Sequence, residues 1–168
     1  MIDTKNTATT FASLGLAASS LDNLTQLGYV QMTPIQVASL PLTLAGRDLI
    51  AQASTGSGKT AAFGIPLVQK LNSAQFDVQA MVLCPTRELA DQVTQEIRRL
   101  ARAVGNIKVI TLCGGVALRG QTQSLEHGAH VVVGTPGRIM DHIERGHLSL
   151  QGLKMLVLDE ADRMLDMG

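Results

Sequence analysis

The residues Ala53, Ser54, Thr55, Gly56, Ser57, Gly58, Lys59 and Thr60 have the types and order of a polyphosphate-binding loop. They follow a short apolar run and open onto a segment, 61–68, compatible with a helix. Small residues let such a loop bend until its N–H groups converge, and the helix N-terminus adds partial positive charge. Lys59 can then reach the β- and γ-phosphates, and the Thr60 hydroxyl can ligate Mg2+. The general pattern G-x-x-x-x-G-K-S/T starts with glycine, and Ala53 stands there instead. The remaining residues suffice for a nucleoside triphosphate. Far downstream, Asp159 and Glu160 close the apolar run Met155–Leu158. In a P-loop enzyme the first acid holds Mg2+, usually through water, and the second orients or deprotonates the attacking water. Two solvated acids at the positive end of a helix would look the same. The upstream loop decides for hydrolysis, because phosphoryl transfer needs both a metal and a positioned water.

A rival use of the glycines is dinucleotide binding. Gly56, Gly58 and Ala61 fit that fingerprint, and Asp77 falls roughly 20 residues on, where a ribose-binding acid is wanted. That acid should end the second strand, yet Asp77 precedes the second apolar run, 80–84. Dinucleotide binding also leaves Lys59 and Thr60 without a role.

Thr33, Pro34 and Gln36 match a capping box, with Thr33 at the N-cap, Pro34 at N1 and Gln36 reaching back from N3. The Gln36 amide, both donor and acceptor, could equally read an adenine edge. Tyr29 and Phe11 fit core packing better than base stacking. Arg87 and Arg138 each fall in the first turn of an expected helix, where the macrodipole disfavours a cation by roughly 0.3–1 kcal/mol. Thr86 and Thr135 stand at the N-caps, whose free N–H groups attract anions. Two such helix starts could form a track for a phosphodiester backbone. The alternative is local pairing, with Glu88 beside Arg87 and Asp141 three residues past Arg138.

These motifs must be positioned by one domain, since 168 residues suffice to bury roughly 70% of the unfolded surface. Aromatics are scarce, so the core must be aliphatic. Formal net charge is zero, and any nucleic-acid binding must use a local patch. No apolar run approaches the ~18 residues of a membrane helix. Residues 1–10 lack the parts of a signal peptide and read as a flexible polar arm. Cys84 and Cys113 are expected to stay reduced in a cytosol. His127, His130, His142 and His147 lack zinc spacing and read as surface or helix-end residues.

Five apolar runs, 49–51, 81–83, Val109–Leu112, 131–133 and Met155–Leu158, are continuous rather than alternating, as in parallel strands covered on both faces. Helices are expected between them. Leu89, Val93, Ile97, Leu100 and Val104 repeat at helical spacing, with Gly105 as the stop, and 118–127 and Pro136–Glu144 are shorter candidates. Two weaker helices, 21–27 and Pro34–Leu44, precede the first run. The alternation predicts a doubly wound α/β fold with right-handed crossovers. Polar motifs follow every run, so all five should gather at the C-terminal edge of one sheet.

Taken together these motifs resemble the DEAD-box RNA helicase family, and in particular its first RecA-like domain. The resemblance spans 11–168, with the short stretches 53–60, 84–93, 112–115 and 162–168 similar to a bacterial branch. Residues 28–36, with Phe11 upstream, resemble the Q motif, and 53–60 resemble motif I. Pro85, Thr86 and Arg87 belong to a motif Ia-like stretch, Gly114 and Gly115 to a GG motif, and Thr135, Pro136, Gly137 and Arg138 to motif Ib. Asp159, Glu160, Ala161 and Asp162 match the motif that names the family. Met32 stands where most members have Pro.

The resemblance implies a RecA-like P-loop NTPase domain, a doubly wound parallel sheet with helices on both faces. It implies ATP and Mg2+ as cofactors, with Gln36 hydrogen-bonding adenine and Tyr29 stacking near it. RNA would be held by its backbone, and Asp162 would couple the ATP site to a later Ser-Ala-Thr motif. That motif, and a second RecA-like domain with arginine fingers, lie outside these residues. A finger contributes about 10³–10⁵ in rate, so this chain alone should bind nucleotide but hydrolyse it very slowly. The state implied is a cytoplasmic monomer, with ribosome assembly inferred from kinship. The competing hypothesis is a P-loop switch or scaffold that does not act on nucleic acid.

Overall fold

The computed structural model describes residues 9–167. They fall in two compact units: the residues up to Lys70 with Arg99–Gly105, and Leu71–Arg98 with the residues from Asn106 on.

The first unit is helical. A 3-10 turn, Phe11–Leu14, precedes helices α1 (Ala18–Gln26), α2 (Pro34–Leu44) and α3 (Lys59–Gln69). The last residues of α4 (Arg87–Ala101) also belong here. Leu24, Leu40, Ile65, Leu67, Val68 and Leu100 form its buried apolar residues, joined by Phe11 and Met32. Gly64 permits close packing, since a Cβ there would lie 2.8 Å from Leu100 Cδ1. The Asn23 amide donates to Arg99 O at 3.1 Å and Leu100 O at 3.2 Å, satisfying carbonyls that the end of α4 leaves without intrahelical partners. Residues 1–8 of the expected arm lie outside the described residues. Thr9 and Thr10 are tied down: Met32 N–H donates to Thr9 O at 2.8 Å, and Thr10 forms an antiparallel bridge with Gln31.

The expected strand at 49–51 does not form. Leu49 is 41% exposed and Ile50 fully so. An apolar run becomes a strand only where a neighbouring strand supplies backbone hydrogen bonds, and among the described residues none pairs with this one.

The second unit is built on a parallel sheet ordered β2-β3-β1-β4, with β1 Ala80–Leu83, β2 Val109–Leu112, β3 Val131–Gly134 and β4 Met155–Leu158. Register is uniform, with Ala80 opposite both Val131 and Met155, and Val109 opposite Val131. Helices α5 (Leu118–Glu126), α6 (Pro136–Glu144) and α7 (Ala161–Asp166) follow β2, β3 and β4. Val131, Val132 and Val133 are wholly buried, as a strand covered on both faces requires. Strand β4 alternates instead, leaving Leu156 and Leu158 about half exposed, because successive side chains point to opposite faces and those two stand on its less covered face. Val93 and Ile97 of α4 are buried at the expected spacing, but the helix ends at Ala101 rather than near Val104.

Two histidines correct the surface expectation: His130 and His142 have no exposed area. His130 Nδ1 accepts from the Lys108 N–H at 3.0 Å, so Nε2 carries the proton and donates to Ser73 O at 3.1 Å. Its ring lies 4.6 Å from that of Phe76.

Candidate nucleotide and nucleic-acid site

The loop before α3 takes the backbone form that its glycines allow. Gly56 and Gly58 have φ values of 79° and 87°, a region open to glycine at little cost. Gly58 is the N-cap of α3, and no side chain caps that helix. Its first N–H groups have no intrahelical partner, which makes this end an anion cradle. Ser57 N–H donates to Ser54 O at 3.2 Å, closing the turn, while Ser57 Oγ is buried without a partner. An orphaned hydroxyl, an uncapped helix start and two left-handed glycines fit a polyphosphate. Lys59 and Thr60 begin the helix and are half-buried. Asp77 precedes β1 instead of ending a strand, so it does not take the ribose-binding place.

Gln36 connects the expected capping box to that loop. Its Oε1 accepts the Thr33 N–H at 2.9 Å, and its Nε2 donates to Gly58 O at 3.1 Å. The sequence holds both residues of the box, but only the glutamine arm is made, since Thr33 Oγ1 is buried without a partner. Each end of the Gln36 amide keeps one further bonding position, a lone pair on Oε1 and a hydrogen on Nε2. Phe11 is buried and meets the half-buried Tyr29 edge-on, ring centroids 5.9 Å apart. That is the packing role expected for Phe11.

In the second unit, parallel pairing brings the residues that follow β1, β2, β3 and β4 to one end of the sheet. After β4, Asp159 is buried, and its N–H donates to Leu83 O at 2.9 Å. Glu160 has φ 52° and ψ 49°, a left-handed conformation that costs a non-glycine residue roughly 1–2 kcal/mol. Its carboxylate is held 2.8 Å from Arg163 Nη1. Strain of this kind gathers where a side chain must be aimed. Asp162 lies exposed in the first turn of α7. Among the described residues no three metal-ligating side chains cluster, and a Mg2+ carried by phosphate and water needs none. Burial pushes the Cys84 thiol up to about 12, helped by the charges of Asp159 and Glu160 and by Cys113.

Pro85 is buried after β1, and the Thr86 hydroxyl accepts the Leu89 N–H at 3.3 Å as a cap. Arg87 pairs with Asp91, not Glu88, at 3.9 Å between exposed groups, an interaction of little energy. Gly114 and Gly115 follow β2 and are exposed. Gly115 has φ 81°, and a Cβ on it would sit 3.4 Å from Arg87 Nη1. Thr135 caps α6 by position only, with no side-chain hydrogen bond to the helix. Pro136, Gly137 and Arg138 form the first turn of α6.

The local-pairing alternative for Arg138 is not the arrangement found, since Asp141 makes its ion pair elsewhere. Asp141 pairs with Arg145, Nε to Oδ1 at 2.5 Å, because the i+4 spacing suits a helix face. Arg138 Nη1 donates instead to Val116 O and to Gln121 Oε1, both at 3.0 Å. Gln121 and His142, which complete this network, were not singled out by motif. Their signal was a polar residue on an otherwise apolar helix stripe: Gln121 between Leu118 and Leu125, and His142 three residues past Ile139.

Comparison with known proteins adds a family. The model of the DEAD/DEAH box helicase family matches residues 33–168. The chain is 56% identical to the ATP-dependent RNA helicase DbpA of Escherichia coli over 95% of its own length and 35% of that protein's. It is 49% identical to the DEAD-box ATP-dependent RNA helicase CshA of Geobacillus kaustophilus, over 95% of this chain and 34% of that protein. The crystal structure of a DEAD box protein from Methanococcus jannaschii superposes with a TM-score of 0.90 at 45% identity, covering 95% of this chain and 44% of that one. Saccharomyces cerevisiae Dbp5 bound to RNA and ADP BeF3 gives 0.84 at 34% identity, covering 94% and 40%. The chain thus spans about a third of the length of these curated relatives. Matching over most of its length in sequence and in structure, the chain belongs to the DEAD/DEAH box helicase family.

Proposed function

We propose that this chain is the nucleotide-binding part of an ATP-dependent RNA helicase. The observation that carries the reading is the polyphosphate cradle at the head of α3, on a chain of helicase family. The α3 N–H groups and Lys59 hold the β- and γ-phosphates, and Ser57 Oγ gains the partner it lacks. The spare lone pair and hydrogen of Gln36 match the donor and acceptor of an adenine edge, which favours ATP over GTP. Tyr29 stacks beside that base, with Phe11 behind it.

Thr60 and Asp159 are the residues that would hold Mg2+, which when bound neutralises charge on the phosphates. Glu160 orients and deprotonates the attacking water, its side chain aimed by the left-handed backbone. Arg87, Gly115, Thr135, Gly137 and Arg138 hold the RNA backbone with Pro85, Thr86, Gly114 and Pro136 shaping the turns. None of these contacts reads a base, so binding is independent of sequence. Asp162 couples hydrolysis to a later segment, and a second RecA-like domain supplies arginine fingers. Action in ribosome assembly, as a cytoplasmic monomer, completes the reading and rests on kinship.

The test is RNA-stimulated ATP hydrolysis by the full-length protein. Arg138→Ala should abolish the stimulation while sparing nucleotide binding, and Lys59→Ala should abolish binding itself. Unchanged stimulation in Arg138→Ala, with nucleotide bound normally, would favour a P-loop switch or scaffold that does not act on nucleic acid.

A further inference from the structure

Helix α5 turns Gln121 inward, and the side chain is 7% exposed. Its Nε2 donates to Cys113 O at 2.9 Å, in the residue just before Gly114 and Gly115. That bond fixes which way the amide points, so Oε1 must be the acceptor for its two other neighbours. They are Arg138 Nη1 at 3.0 Å and His142 Nε2 at 2.9 Å. His142 therefore carries its proton on Nε2, and its buried Nδ1 has no partner. Arg138 Nη1 has two hydrogens, and the second goes to Val116 O. One nitrogen of the guanidinium is thus fully engaged. Among the described residues Nε and Nη2 have no protein acceptor, leaving that edge of the fork for an anion.

We propose that Gln121 is a positioning residue that sets the direction of the Arg138 guanidinium and joins it to the Gly114–Gly115 turn. The proposal rests on the reading of Arg138 as an RNA-backbone contact. A neutral amide suits the task better than a carboxylate. It accepts from the guanidinium without cancelling the charge that a phosphate needs, and the neutral His142 beside it adds no competing cation. The single amide ties together the turns after β2 and β3, so both present their backbone contacts in one fixed arrangement.

A double-mutant cycle tests this in the full-length protein, with a fluorescent oligouridylate, Mg2+ and a non-hydrolysable ATP analogue. Gln121→Leu should weaken RNA binding about three- to tenfold, the loss of part of one charge-assisted contact. It should cost nothing further in an Arg138→Ala background, and ADP affinity should not change. A merely structural loss would weaken both backgrounds and ADP binding alike, and would overturn the proposal. So would unchanged RNA affinity in Gln121→Leu when Arg138→Ala weakens it. If Arg138→Ala itself leaves RNA binding unchanged, the RNA reading of that residue fails, and this inference with it. Because Gln121→Leu also strands the Cys113 carbonyl, a measurement on the unmodified protein is paired with it. The Arg138 guanidinium should show restricted rotation by NMR without RNA, and free rotation would overturn the proposal.

Discussion

Replacing Gly58 by alanine tests the link between the capping box and the phosphate loop. The added Cβ would lie 2.5 Å from Gln36 Nε2 and 2.9 Å from Thr33 Oγ1, closer than carbon approaches either atom. Gln36 is 1% exposed and cannot swing aside cheaply. Two costs follow. The left-handed backbone, φ 87°, penalises alanine by roughly 1–2 kcal/mol. Displacing Gln36 breaks its bond to Gly58 O, another ~1–1.5 kcal/mol. The total is about 2–3.5 kcal/mol, and a protein of this size loses roughly 2–4 °C of Tm per kcal/mol. Thermal melting of Gly58→Ala should therefore fall by about 4–14 °C, with fluorescent-ADP affinity reduced as the loop shifts. A variant that melts within about a degree of the parent and binds ADP equally well would refute the bridging role of Gln36.

Three other outcomes are expected. Glu160→Gln in the full-length protein should keep nucleotide affinity while ATP turnover falls by about 10² or more, as for loss of a general base; normal turnover removes Glu160 from that role. Cys84, whose thiol ionises only near 12, should resist iodoacetamide in the native protein at mildly alkaline pH and react in guanidinium, as mass spectrometry would show. Burial, then the neighbouring His147, Arg138 and Arg145 charges, hold the His142 pKa below the usual histidine value, outweighing the opposite pull of Asp141. The unfolded chain therefore takes up a proton first as pH falls, so this contribution to stability is full above about pH 6.5 and lost below it. An NMR titration of the His142 ring with its midpoint at or above the free-histidine value would contradict the sign.

Local chemistry made much of this molecule legible. Thr135 before Pro136 fixed the start of α6, Thr33 before Pro34 that of α2, and the spacing of Val93 and Ile97 the buried face of α4. Four apolar runs became strands because each had a partner, and 49–51 did not because pairing is a tertiary matter that hydropathy does not carry. Two of the four histidines, His130 and His142, departed from the surface expectation for the same reason, while His127 is exposed at the end of α5. A polar type in isolation suggests the surface, yet Ser73 O with the Lys108 N–H satisfies His130, and Gln121 satisfies one edge of His142. The phosphate loop, the acidic pair and the motif turns stand out in the sequence because each is a short contiguous stretch. Gln121 could not, because its partners lie outside its own helix, Cys113 after β2 and both Arg138 and His142 on α6.

The most direct measurement is a titration of the purified chain with a fluorescent ADP, followed by displacement. Saturable binding is expected, reversed by ADP and ATP, poorly reversed by GDP, and lost in Lys59→Ala. Absence of saturable binding, or displacement by a nicotinamide dinucleotide as readily as by ADP, would contradict the assignment of residues 53–60 to an adenosine polyphosphate.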